Sequence, residues 1–141
     1  MKVFKTPLDG CIVLSPTLIS DERGGFFESY KKKILDEFLG YKVEFVQDNE
    51  SFSSKGVLRG LHFQKGVYAQ AKLVRVVQGA ILDVAVDLRL ESPTFGQHFS
   101  IELSSENKKQ LFIPRGFAHG FVVLSDTALF SYKCDNYYNK A

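Results

Sequence analysis

The chain has 141 residues, of which 45% are hydrophobic and 24% are charged, and its formal net charge is +2. This length fits one domain with one core, because single cores divide only beyond about 250 to 300 residues. The small net charge, with both signs interspersed, excludes a basic face for nucleic acid or an anionic membrane. Thirteen Phe residues supply a sizeable core and exclude a disordered chain.

Short β-type runs follow one another along most of the chain. In order they are CIVLS, GFFESY, VEFVQ, VLRGLHF, AKLVRVV, AILDVAVDL, HFSIEL, QLFIP, HGFVVL and ALFSYKC. Segments such as SDERGG, ESPTFG and PRG separate them, and these supply the residue types that turns need. The rhythm predicts an all-β fold, either a double-sheet jelly roll or a barrel.

One segment, KKKILDEFLG, has a helical pattern. Ile34, Leu35 and Phe38 form one apolar stripe, and Gly40 is placed to cap the carboxyl end. The pattern predicts a single short surface helix.

The expected location follows from the amino terminus and the cysteines. No apolar stretch approaches the roughly 18 residues that span a bilayer, and MKVFKTPLDG lacks the apolar region of a secretory signal. Cys11 and Cys134 lie far apart without a CxxC spacing, so we expect both to be reduced packing residues. These observations favour a cytoplasmic protein.

Ionisable side chains interrupt the apolar runs in the middle of the chain. A buried charge costs several kcal/mol unless it is paired or used. Strand alternation puts Lys72 and Arg75 on opposite faces, so one of them must face inward. Alternation also separates Arg59 from His62, and both line one cavity only if the strand bulges or twists near Gly60. The alternative is that the arginines are solvated and His62 is a satisfied core histidine.

A further polar cluster lies in IPRGFAHGFVVLSDTALFSYKCD, where His119 opens a strand and Tyr132 follows on the next. Taken alone, Tyr132 is most simply an amphipathic core residue. Together, His62, Lys72 and Tyr132 supply a base, a fixed cation and a weak acid. These groups can remove a proton beside a ketone, stabilise the enolate, and return a proton from the opposite face.

Five segments in order along the chain carry a specific resemblance. They are SDERGGFFESY, VQDNESFSSKGVLRGLHFQ, QAKLVRVVQGAILDVAVDLR, SPTFGQH and IPRGFAHGFVVLSD, and they resemble the dTDP-4-dehydrorhamnose 3,5-epimerase family. The resemblance implies a cupin-type jelly roll that needs no cofactor and forms a homodimer. It implies conversion of dTDP-4-dehydro-6-deoxy-D-glucose to dTDP-4-dehydro-L-rhamnose, in the dTDP-L-rhamnose pathway that serves lipopolysaccharide or cell-wall polysaccharide.

The resemblance also implies residue roles. His62 would be the proton acceptor, Tyr132 the proton donor and Lys72 the cation beside the enolate. The implied substrate-binding residues are Arg23, Phe26, Glu28, Gln47, Asp48, Asn49, Arg59 and His119, with Phe26 on the thymine and His119 at the sugar end. In this family the N-terminal segment is exchanged between subunits, so the first three of these residues would serve the partner's pocket.

The broader cupin pattern predicts that no metal is bound. Metal-binding cupins place a second His two residues after the first and a Glu further on, where this chain has Gln64 and Lys72. An ammonium in place of a carboxylate repels a divalent ion, and His62 with His119 alone is a poor site. Lys72 would then take over the electrostatic role of the metal.

The resemblance implies that the family continues past FSYKCDNYYNKA, so residues 1–141 are expected to be one domain without the family's C-terminal extension. That extension would carry an acidic residue that supports the catalytic His. Asp83 and Asp87 are conceivable substitutes, although pairing with Arg75 or Arg89 is the simpler expectation. Two alternatives stay open: a catalytically silent nucleotide-sugar-binding cupin, and a related 3-epimerase or ketoisomerase.

Overall fold

A computed structural model describes residues 1–140 and contains twelve strands and one α-helix. The helix α1 spans Lys32–Leu39, and a 3₁₀ turn spans Gly66–Tyr68. The strands are β1 (Lys2–Lys5), β2 (Ile12–Ser15), β3 (Ile19–Asp21), β4 (Gly24–Phe26), β5 (Gln47–Ser54), β6 (Leu58–His62), β7 (Lys72–Gln78), β8 (Ala80–Asp87), β9 (His98–Ser104), β10 (Gln110–Ile113), β11 (Phe117–Val123) and β12 (Thr127–Cys134).

The strands form two large antiparallel sheets and one small hairpin. The larger sheet has the order β1-β2-β10-β7-β12-β5, the second has the order β6-β11-β8-β9, and β3 pairs only with β4. The two large sheets pack face to face, so the predicted all-β double-sheet jelly roll with one short helix is confirmed.

The main core lies between the two large sheets. Val74 and Phe130 enter it from the six-stranded sheet, and Ile81 and Phe121 enter it from the four-stranded sheet. The ring centroids of Phe121 and Phe130 are 4.4 Å apart, a separation typical of favourable aromatic pairs. Aromatic packing therefore joins the sheets directly.

A second, smaller core lies on the outer face of the six-stranded sheet, beneath α1. Leu35 is fully buried there against a cluster that includes Leu73 and Phe112. The helix ends as predicted, because Gly40 adopts a φ of 81° and donates its N–H to the carbonyl of Asp36. The helix thus covers apolar sheet surface that would otherwise face water.

The predicted apolar stripe of α1 is only partly correct. Leu35 and Leu39 pack against the smaller core, whereas Phe38 remains 40% exposed. Residues four apart share a helix face, so the true stripe runs from Leu35 to Leu39 and Phe38 turns away from it.

Two predicted strands are displaced. VEFVQ is not a strand up to Gln47, and Val43 instead enters the smaller core from a connecting segment. The edge strand is β5, whose sequence QDNESFSS turns mostly polar residues inward at every second position. A strand with a polar inner face lacks the apolar alternation by which strands are recognised, and GFFESY likewise retains only the short β4.

The expected state of the cysteines is confirmed, since Cys11 and Cys134 are both free and buried. Burial raises the pKa of Cys11 to about 12 and that of Cys134 to about 11, so both thiols keep their protons at neutral pH. Among residues 1–140, no helix combines the length and the apolar character that crossing a bilayer requires.

The position of the helix stripe can be tested by truncating its members. Leu35→Ala should lower the free energy of unfolding by about 2–5 kcal/mol, because it leaves a cavity in the smaller core. Phe38→Ala should cost less than half of that, since its ring is partly in water. Urea unfolding measures both, and equal losses would show that Phe38 also packs against the sheet.

Candidate active site

A cavity of about 730 Å³ opens between the two large sheets. Its lining includes His62 and His119 from the four-stranded sheet and Lys72 and Tyr132 from the six-stranded sheet. The same four side chains line an adjoining cavity of about 520 Å³. The predicted meeting of imidazole, ammonium and phenol in one space is therefore observed.

Lys72 is the inward-facing cation. Lys72 begins β7 on the same face as Val74 and Val76, which belong to the main core. Arg75 lies on the other face of β7 and lines two different cavities, one of which it shares with Tyr132 and neither of which it shares with His62, Lys72 or His119. Nζ of Lys72 lies 5.5 Å from the centre of the Tyr132 ring. Burial lowers the pKa of Lys72 below its ordinary value, because a charged ammonium is poorly solvated there.

A bulge in β6 brings Arg59 and His62 to the same cavity. His62 lies opposite His119, and Arg59 lies opposite Phe121, so three steps along β6 match two steps along β11. The extra residue reverses the alternation that would otherwise separate the two side chains. Both line the 520 Å³ cavity, and the strand does bulge near Gly60, which is the condition that the sequence set for the two residues to share a cavity.

Gly60 allows this bulge to form. Its φ is 108°, and a Cβ atom there would lie 2.6 Å from the Cα of Gly120 and 2.7 Å from the carbonyl oxygen of His119. The backbones of β6 and β11 thus approach too closely for any side chain at this point.

A buried carboxylate holds His119. Its Nε2 lies 2.6 Å from Oδ1 of Asp83, and its ring stacks on Phe130 at a centroid distance of 6.0 Å. Burial raises the pKa of Asp83, an effect that the contact with His119 opposes. Asp83 therefore fixes the orientation of the His119 ring, and Nδ1 is the ring nitrogen that remains available for a ligand.

The expected pairing of Asp83 with Arg75 or Arg89 is wrong, because Asp83 pairs with His119. Alternation along β8 turns Asp83 into the space between the sheets, whereas Arg75 lies on the outer face of β7. The expected pairing of Asp87 is confirmed, because its Oδ2 lies 3.0 Å from the Arg89 guanidinium. Burial alone would raise the pKa of Asp87, but hydrogen bonds led by those from Arg89 hold it well below its usual range.

Tyr132 is half-buried and stands beside the core, with its ring 5.4 Å from that of Phe130. Burial raises the pKa of Tyr132, and a side-chain hydrogen bond with Asn49 acts in the opposite direction. The phenol is therefore protonated at neutral pH.

The three predicted binding residues at the start of β5 separate by face. Asn49 lines the 730 Å³ cavity, and Gln47 donates from Nε2 to Oδ1 of Asn49 over 2.9 Å. Asp48 points to the opposite face, where its Oδ1 lies 3.0 Å from Nζ of Lys133.

Arg59, a fourth predicted binding residue, is held near the site by a serine. Its Nε donates to Oγ of Ser53 over 2.9 Å, and Ser53 is itself buried. The guanidinium is thereby fixed at one end while its remaining donors stay available for an anion.

The three N-terminal binding candidates lie apart from the cavity within this chain. Arg23 pairs with Asp21 at 2.7 Å, Glu28 pairs with Lys31 at 3.5 Å, and Phe26 is 65% exposed. The structure does not bring them to His62, and their service to a partner's pocket stays a prediction.

Sequence reasoning missed the segment 135–140, here called the C-terminal strap. Tyr138 and Lys140 line the 730 Å³ cavity. Asn136 fastens the strap by donating to the carbonyls of Val67 and Ala69 at 2.9 and 3.2 Å. The adjacent tyrosines in NYYN were the available signal, because Tyr is amphipathic and is often used in binding sites.

The candidate site offers no apparent metal centre in the part of the chain that the structure describes. Within residues 1–140, no group of three or more His, Cys, Asp or Glu side chains is arranged to hold an ion.

The architecture and the lining together define a cupin-like jelly roll whose cavity is equipped for proton transfer at carbon. The family model described as dTDP-4-dehydrorhamnose 3,5-epimerase matches residues 5–141, and the chain belongs to this family. The chain is 57% identical over 140 residues to the dTDP-4-dehydrorhamnose 3,5-epimerase of Shigella flexneri. This alignment covers 99% of the chain and 77% of the Shigella protein.

Solved structures agree with this assignment. The crystal structure of dTDP-4-dehydrorhamnose 3,5-epimerase from Elizabethkingia anophelis has a TM-score of 0.96 at 61% identity, covering 99% of this chain and 76% of that one. A Legionella pneumophila epimerase in complex with dTDP-4-keto-L-rhamnose has a TM-score of 0.93 at 53% identity, covering 98% and 73%.

The close approach at Gly60 can be tested with a matched pair of glycines. Gly56→Ala should cost only about 1–2 kcal/mol of strain from the positive φ, because no atom lies within 4 Å of a Cβ at Gly56. Gly60→Ala should destabilise the protein by more, because its Cβ would also clash with the backbone of β11. Chemical denaturation of both variants measures the difference. Equal stability of the two would contradict the contact with β11.

Proposed function

We propose that the chain catalyses 3,5-epimerisation of dTDP-4-dehydro-6-deoxy-D-glucose to dTDP-4-dehydro-L-rhamnose, a step of dTDP-L-rhamnose biosynthesis. One observation carries the proposal: His62, Lys72 and Tyr132 line one cavity, with the base on one sheet and the acid on the other. Membership of the epimerase family supports the choice of a 4-keto sugar nucleotide as the substrate.

His62 acts as the base. In its neutral form it takes the proton from a carbon adjacent to the C4 ketone, and the electron pair of the broken C–H bond forms a C=C bond. The carbonyl oxygen gains the negative charge. Because C3 and C5 both flank the ketone, the same chemistry applies at each centre.

Lys72 stabilises the oxygen of the enolate. Its ammonium sits where burial has removed much of the competing water, and a charge interaction gains strength in such surroundings. The enolate therefore offsets part of the cost of burying Lys72, and the transition state is favoured more than the neutral ketone.

Tyr132 returns a proton from the opposite side. A sugar ring that lies between the two sheets presents one face to His62 on β6 and the other to Tyr132 on β12. Donation by the phenol forms the new C–H bond on the face away from the base, so the configuration inverts. Solvent then restores the proton to Tyr132 and removes the one from His62.

The nucleotide end is assigned to Arg59 and Gln47, and the sugar end is assigned to His119. A guanidinium can bind two diphosphate oxygens at once, and amide side chains can bond the edge of thymine. The fixed ring of His119 would present Nδ1 to the sugar.

We further propose a homodimer in which the β3–β4 hairpin, with Arg23 and Phe26, and Glu28 just after it reach the partner's pocket. Every residue of both strands is exposed, and Ile19 and Phe26 are each 65% exposed. Paired exposed apolar side chains are typical of interaction surfaces.

A cytoplasmic location is supported by the two free cysteines.

A second candidate function is binding of the nucleotide sugar without turnover. One observation favours it: His62 is exposed, and within residues 1–140 it has no carboxylate partner of the kind that Asp83 provides for His119. An imidazole without such support is less firmly held in one tautomer.

Incubation with the substrate in heavy water tests the proposal. We expect solvent deuterium at both C3 and C5, measured by NMR, and no label with His62→Ala, which should still bind dTDP by calorimetry. Label at C3 alone would indicate a 3-epimerase. Binding of dTDP by the unmodified chain without any label would favour the silent binding protein.

The pH dependence of the deuterium exchange rate should reflect the protonation state of Lys72. Its ammonium is present below its pKa and lost above it, and burial lowers that pKa, while burial raises the pKa of Tyr132. The exchange rate should therefore fall on the alkaline side as Lys72 loses its proton. Lys72→Met should be slower by about 10²–10³ and lack this alkaline fall, whereas Lys133→Met should keep it. An unchanged fall in Lys72→Met would assign it to another group.

A further inference from the structure

Asn49 lies directly across from the proposed proton donor. In the antiparallel pair of β5 and β12, Asn49 is the register partner of Tyr132, and Gln47 is the partner of Cys134. Side chains of such partners project from the same face with Cβ atoms about 4.5–5.5 Å apart. Asn49 and Tyr132 accordingly line the same 730 Å³ cavity.

The orientation of the Asn49 amide is fixed by its neighbours. Gln47 donates to Oδ1 of Asn49 over 2.9 Å, so the NH₂ group must be on the other side of the amide. That group faces Sγ of Cys134 at 3.9 Å and, across the strand pair, lies close enough to the Tyr132 phenol to lower its pKa by hydrogen bonding. An amide NH₂ can only donate, so the phenol oxygen is the acceptor.

A phenol that accepts a hydrogen bond from Asn49 must direct its own proton elsewhere. The open direction is the cavity, where a sugar carbon would lie. The same N–H also stabilises the phenolate that remains after the proton has left, since a hydrogen bond to a charged oxygen is stronger than one to a neutral oxygen.

We propose that Asn49 is a positioning residue for Tyr132, which aims the phenolic proton at the substrate and stabilises the phenolate formed on transfer. This inference rests on the proposed function and assigns Asn49 a role other than the nucleotide binding that the family resemblance implies. Gln47 supports it, because the Gln47 side chain holds the amide and also accepts from the backbone N–H of Tyr138 in the C-terminal strap.

The test compares Asn49→Leu, which keeps the approximate volume but removes the amide, with Tyr132→Phe. For Asn49→Leu we expect kcat for net inversion to fall by about 10–100-fold, while deuterium exchange and the Kd for dTDP change by less than about 3-fold. The double variant should lose little beyond Tyr132→Phe alone, because the two residues act as one unit.

Two results would overturn the inference. One is a Kd and KM that rise in Asn49→Leu with kcat unchanged, which would make Asn49 a nucleotide ligand only. The other is a double variant whose loss is the product of the single losses. Glu50→Gln, the next residue on β5 but exposed and facing away, is the matched control and should retain full inversion.

Further measurements separate failure of this inference from failure of the proposed function. Absence of exchange in the unmodified chain would reject the epimerase itself, whereas normal exchange with an unaffected Asn49→Leu rejects only the role of Asn49. If Asn49→Leu does not fold by circular dichroism, Gln47→Leu replaces it, since loss of the Gln47 donor frees the amide to turn. Inversion in Gln47→Leu should then fall while exchange persists, and unchanged inversion would count against the proposal.

Discussion

The ammonium of Lys72 is partly buried between two packed sheets, and this burial lowers its pKa. Most features of the site compensate for that placement: Asp83 contributes negative charge from the opposite sheet, the Tyr132 ring lies beside Nζ at 5.5 Å, and the cavity leaves room for an anionic oxygen. A charge that is costly in the empty site becomes favourable when an enolate forms beside it. The same desolvation therefore links the fold to the proposed reaction.

The division of the site between two sheets bears on the stereochemistry of the proposed reaction. His62 and His119 belong to the four-stranded sheet, whereas Lys72 and Tyr132 belong to the six-stranded sheet. A base and an acid on the same wall would return a proton to the face from which it came. In the proposed reaction, placement on opposite walls would favour inversion. The bulge at Gly60 turns Arg59 toward the same space as His62.

Part of this arrangement could be predicted from the sequence. Alternation required one of Lys72 and Arg75 to face inward, and Gly60 marked the point where a bulge could bring Arg59 and His62 to one cavity. The partner of Asp83 could not be predicted, since alternation fixes the face of a residue but not which side chain lies across the core. Strand β5 was displaced in the prediction for a related reason: its inner face is polar because it lines a cavity, and polar alternation resembles a loop.

The polar inner face of β5 also bears on local stability. This edge strand is bonded on one side only, to β12, and its inward side chains include Gln47 and Asn49 instead of apolar residues that would anchor it in the core. Segments with few buried apolar contacts open at a lower free energy than the rest of a domain. A nucleotide sugar seated against β5 would thus supply cohesion that the empty protein lacks, and the amide hydrogens of this strand would exchange more slowly once the ligand is bound.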